Sequence, residues 1–220
     1  CSKRKVRIVM GLFHSPKIIT DGLSFSIDAS NPKSYPGSGS SITDLTNNNT
    51  TATLNGTHSF SSEGIRISNT DTTDRLNNVS HIQLGSVTNI TTVSLWYKLE
   101  SISGDQTRYL LDMRTGGSTG WIYKFGAGSN WANGSLYLNS KNLGTISSHY
   151  AEAVTNNVGQ FRNIVVIAAT PATDDMNLFS RFSDNEGLDV TFAAASIYNR
   201  ALSADEIAQN FQALRGRFGL

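Results

Sequence analysis

The chain has one cysteine in 220 residues, Cys1, so no disulfide can form within it and the fold must be held by packing and hydrogen bonds. Long apolar runs are missing as well. IVMGLF at 8–13 is the kind of stretch available, far from the roughly eighteen apolar residues of a membrane-spanning helix. Charge is sparse, at 16%, but 38% hydrophobic and 9% aromatic content excludes a solvated disordered chain. The four histidines, His14, His58, His81 and His149, stand alone, without the spacing that zinc ligands require. Phosphate-cradling glycine loops, nucleophile elbows and dinucleotide fingerprints are also missing.

Basic residues are concentrated in one place. Lys3, Arg4, Lys5 and Arg7 account for four of the 18, which leaves 14 against 17 acids and a net charge of −3 elsewhere. A body of that sign is not built to grip a nucleic-acid backbone.

What the sequence does have is β patterning. In GLSFSIDA at 22–29, Leu23, Phe25 and Ile27 fall on one face; Ile65 and Ile67 do so in EGIRISN. Val93, Leu95, Tyr97 and Leu99 repeat the pattern in TTVSLWYKLE, with Trp96 on the opposite face. About eleven such short strands with no helix between them predict an antiparallel sandwich or barrel. The stretches between them, such as NPKSYPGSGSS at 31–41 and GSNWANG at 128–134, carry turn residues.

Residues 1–20 lack a helical period and contain Pro16, so they are read as an extended arm before a single domain at 21–220. The chain closes differently. Ser203 and Glu206 have capping-box spacing, and Ile207, Phe211 and Leu214 form one apolar stripe ahead of Gly216. The spacing predicts a helix over 203–215, laid over the sheet edge left by a final strand at 188–198.

Three stretches resemble a known family. SIYNRALSADEIAQNF at 196–211, the opening DGLSFSIDASNPKSYPGSGSSITDLTNNNTTATLNG and the central TTVSLWYKL are similar to concanavalin A-like lectin/glucanase jelly rolls of the laminin-G-like type. Ile42 departs from the pattern, standing where that family usually has tryptophan. The arm GLFHSPKIITDGL resembles the start of tailed-phage (cyanophage and marine phage) virion proteins that carry this domain. The resemblance implies an all-β, antiparallel two-sheet jelly-roll sandwich with an N-terminal arm and one C-terminal helix.

For function it implies a phage virion structural protein, a capsid decoration or tail-associated subunit. Its arm, through Lys3, Arg4, Lys5, Arg7 and Phe13, would anchor it to major capsid or tail proteins, in multiple or homo-oligomeric copies on the extracellular particle. The alternative is a glycan-binding adhesion module for host surfaces. The paired carboxylates of a retaining glycosidase would sit on one strand. Here the five glutamates are scattered, and Asp184, Glu186 and Asp189 read as a solvated turn, as do Asp174 and Asp175, so no enzyme is expected.

Sugar binding needs an aromatic face and short polar groups. Trp121, Tyr123, Asn130, Trp131 and Asn133 supply them, with Trp131 foremost because its loop gives no reason for burial. The family's calcium would find ligands in Asp28 and Asp44, which otherwise read as a turn cap and a loop acid.

Overall fold

The computed structural model describes residues 16–48, 50–69, 79–101, 108–113, 122–123, 126–127, 131, 133–146, 158–182 and 186–220. It is all-β and antiparallel, with a C-terminal helix. Two strands are unusually long, β6 (His81–Ser101) and β12 (Phe161–Leu178), and they lie side by side along most of their length.

The beginning of β6 and the end of β12 belong to one half of the sheet. There β6 is flanked by β3 (Thr51–Asn55), which carries β2 (Ser41–Thr43), while β12 is flanked by β7 (Tyr109–Met113). β8 (Ile122–Tyr123) and β9 (Gly126–Ala127) extend that side. The other halves of β6 and β12 sit between β13 (Asp189–Tyr198) and the hairpin of β10 (Ser135–Leu138) and β11 (Lys141–Thr145). β13 in turn pairs along its outer edge with β5 (Gly64–Ile67) and then β1 (Leu23–Asp28); β4 (His58–Ser61) completes the row beside β5.

Between the halves the regular ladder fails. The register of β12 against β6 shifts three times between Ile167 and Met176, and Asn89 takes a left-handed φ of 52°. Bulged strands bend there because an unpaired residue lets the chain change direction. One continuous core joins both halves, from Phe25 and Ile27 through Ile82, Leu84, Val93, Leu95, Tyr97 and Leu99 to Met176, Leu178, Val190 and Phe192. The predicted inward set of β6 is thus correct. Leu23 is not with Phe25: a bulge between them sends it to the opposite side, beside Ile19 and Ile207.

The helix, α1 (Ala204–Leu214), starts at Ser203 with both bonds of the capping box in place. Instead of closing an edge, it lies on the outer face of β6 and β13. Phe211 stacks on Trp96 at 5.6 Å and 9°, and Phe218, in the 3-10 turn Arg215–Phe218, stacks on the same indole at 4.6 Å. An edge needs only its amides covered, whereas Trp96, Ala193 and Ala194 present apolar surface that needs a lid.

The described end of the arm is sewn to this helix. Ile19 N–H donates to Asn210 Oδ1 (2.7 Å), Gln209 Nε2 donates to the Lys17 carbonyl (2.8 Å), and Tyr198 O–H donates to the Ile19 carbonyl (3.1 Å). Arg200 joins Asp21 (2.8 Å) to Glu206 (2.7 Å), and its guanidinium holds the Glu206 carboxyl down at about 2.

Because Phe211 is one of the two rings that cover the buried Trp96, Phe211→Ala is expected to destabilise the fold by about 3 kcal/mol. Thermal unfolding should register this as a midpoint roughly 10 °C lower.

Candidate functional site

The segment after β2 has no regular structure of its own and is held by side chains. Asp44 Oδ1 accepts from the Ser26 and Thr46 amides (both 2.9 Å), and Oδ2 accepts from the Thr46 hydroxyl. Asn48 Nδ2 donates to the Ser24 carbonyl (2.8 Å), and Leu45 N–H to the Ser26 carbonyl (2.7 Å). Short polar side chains competing for backbone groups is what Asp, Asn and Thr do in turns. Here they fasten the loop to the edge of β1.

Two clefts border this loop. The first, about 490 Å³, is lined by Gly22, Leu23, Ser24, Asn48, Thr50, the β6 bend at Ser86, Val87 and Thr88, and Asn199. The second, about 380 Å³, is lined by residues of β2 and the loop, among them Ser41, Thr43, Thr46 and Asn47. Thr50 borders both. The first lining contains no ionisable side chain, and the second contains only Asp44, whose two oxygens are already bonded. Gly22 is needed where it stands: its φ is +74°, and a Cβ would lie 2.9 Å from Asn199 Oδ1 and from Arg200 Cγ.

A third, smaller pocket of about 220 Å³ lies beside the 3-10 turn, between Ser30, Ser62, Glu63, Phe161, Arg217 and Phe218. Its phenyl rings are 4.7 Å apart. Its charges are paired: Arg217 with Asp28 through two bonds (2.7 and 3.0 Å), and Glu63 with Lys98 (2.7 Å).

Two buried acids elsewhere are structural. Asp189, 4% exposed, binds Arg66 through both oxygens and accepts from the Ser101 hydroxyl and the Asn69 amide. Burial pushes its carboxyl up, but those bonds outweigh burial and hold it below the usual range. Asp112, 1% exposed, accepts from Phe182 N–H (2.9 Å) and so fixes the turn after β12. Burial raises it to about 7, helped by Asp174, against the Phe182 and Met113 amides and the Arg181 charge.

Several sequence expectations need correction. Trp131 is no exposed platform. It is fully buried within the core, with its indole Nε1 unpartnered among the described residues. Asn133, two residues on, is exposed, and Tyr123 lies in β8. Trp121, Asn130, Lys3, Arg4, Lys5, Arg7 and Phe13 fall outside the described residues.

Both acids of the calcium reading are taken, Asp28 by Arg217 and the Ser30 amide, Asp44 by the loop it pins. Among the described residues no three His, Cys, Asp or Glu side chains converge as metal ligands. The expected solvated turn is also different. Glu186 and Asp189 are buried, with Arg181 3.6 Å from Glu186, and Asp174 is buried within β12. The clefts leave one signal in the sequence: GSVTN at 85–89, a polar break in an otherwise apolar strand, marks the first one.

No family model and no curated protein matches the sequence. Solved structures do match the fold. Trypanosoma rangeli sialidase is 15% identical with a TM-score of 0.52, over 89% of this chain and 33% of the sialidase chain. A mutant of that enzyme displaying trans-sialidase activity is 14% identical with a TM-score of 0.54, over 90% and 34%. The sialidase in complex with sialic acid is 14% identical with a TM-score of 0.51, over 89% and 33%.

The likeness is one of fold, and this chain spans about a third of the length of those proteins. It overturns the expectation of no enzyme: the solved structures that share the fold are of a sialidase and of a mutant with trans-sialidase activity, so lack of a glucanase carboxylate pattern does not set the fold apart from enzymes.

Asp112 yields a pH dependence. A folded-state value near 7, against an ordinary one near 4, means that its stabilising contribution is complete below about pH 4 and is lost as pH rises through 7. Over that interval the fold should lose about 1.4 kcal/mol per pH unit from this group. Denaturant unfolding at pH 5 and pH 8 should show the decline, and Asp112→Asn should flatten it.

Proposed function

We propose that this chain is a glycan-binding, lectin-like domain associated with a glycan-processing enzyme. The observation that carries the reading is the fold match: about nine-tenths of this chain corresponds to only a third of a sialidase chain, so the fold occurs as one part of a sugar-handling protein.

On this reading the two halves of the sheet are the two layers of a concanavalin A-like jelly-roll sandwich, with β6 and β12 passing between them. The single core drawn from both halves supports that architecture. The clefts beside the 44–51 loop supply the chemistry. Sugar hydroxyls donate and accept, and clefts lined by Ser, Thr and Asn match them group for group. Such binding is weak for each bond and gains strength from several sites acting together.

The chain displayed multivalently on a glycan array should retain a defined subset of saccharides, and free sugar from that subset should compete. Uniform failure to retain any saccharide across the array would sink the reading.

A further inference from the structure

We infer that the ligand of the two clefts is a neutral glycan of at least two sugar units that crosses the Thr50 ridge, and not a sialylated or otherwise anionic one. This rests on the glycan-binding reading and narrows it.

An anionic sugar placed in a cleft needs a cation or several amides to replace its water, because an unpaired carboxylate is costly to desolvate. The nine residues lining the first cleft carry no charge. Arg200, adjacent in sequence to Asn199, is tied to Asp21 at 2.8 Å and to Glu206 at 2.7 and 3.0 Å. The one charge lining the second cleft is the Asp44 carboxylate, which repels an anion.

Among the described residues Thr50, Ser86, Thr88 and Asn199 make no side-chain hydrogen bond. A polar lining that the fold does not use internally is available to a ligand, and each hydroxyl can act as donor or acceptor. Their placement is set by the fold: Ser86 and Thr88 alternate with Val87, which is 2% exposed and joins the core, so the bend of β6 presents both hydroxyls on the side away from it.

At about 490 and 380 Å³ both clefts fall within the roughly 300–1,000 Å³ of ligand sites. Thr50 borders both, so a ligand longer than one sugar reaches the second cleft by crossing it.

The test is isothermal titration of the chain with lactose, maltotetraose and chitotetraose, and with 3′-sialyllactose. We expect a neutral oligosaccharide to bind, the tetrasaccharide of a series more tightly than its disaccharide, with no gain from a sialyl group. The dissociation constant should stay flat between low and high salt, since no ion pair forms. Ser86→Ala, Thr88→Val and Asn199→Ala should each weaken binding about threefold to tenfold without lowering the thermal midpoint.

Binding of 3′-sialyllactose with none of lactose overturns the neutral assignment and leaves glycan binding standing. Neutral binding indifferent to all three substitutions overturns the cleft. No binding of any saccharide, here and on the array, removes the glycan reading itself.

Discussion

Two strands have to run through both halves of the sheet, and the rest of the molecule is arranged around bending them without abandoning their hydrogen bonds. In β6 and β12 the bend falls where the register slips and Asn89 turns left-handed. A regular ladder would have placed Ser86 and Thr88 opposite fixed partners. The slip instead leaves their hydroxyls at the wall of a cleft. Beyond the bend, β6 from Ile90 to Tyr97 is buried on both faces, by the core on one side and by α1 with its aromatic stack on the other. Strand curvature, helix placement and cleft position are therefore one geometric decision.

Without disulfides, the chain secures its irregular parts with polar contacts. Arg66, Asp189, Ser101 and Asn69 tie β5, β6 and β13 together, and Asp112 holds the turn after β12. Removing one partner of such a buried set leaves the others unsatisfied, which makes these contacts stringent as well as stabilising. Much of the limited charge is used this way, in Arg200 with Asp21 and Glu206, Arg217 with Asp28, and Lys98 with Glu63. The polar lining of the first cleft, by contrast, is hydroxyls and amides, and Asp44 is the one charge in the second.

Local signals in the sequence were readable. The alternation at 91–100 and the Ser203–Glu206 capping box report on residues a few positions apart, and both stand in the structure. Long-range pairings were not. Arg217 lies 189 positions from Asp28, so nothing around Asp28 reveals that its carboxylate is occupied. Trp131 fails for a related reason: glycine and asparagine announce a turn but not the direction in which the turn aims its indole, which here is inward. The spacing fixes where the helix lies along the chain but not in space, because an apolar stripe demands a partner without saying whether that partner is an edge or a face. The clefts are not legible in the pattern because they arise from a bend, and periodicity cannot express a bend.

The pairing of β1 with β13 has a consequence for the order in which the protein takes shape. Among the described residues β1 has no other strand partner, and Leu23 sits opposite Tyr198. During synthesis, Phe25 and Ile27 must therefore wait for nearly the whole domain to emerge before they have a sheet to join. The earliest of the described strands along the chain is thus among the last seated, and until then Phe25 and Ile27 have no sheet beside them.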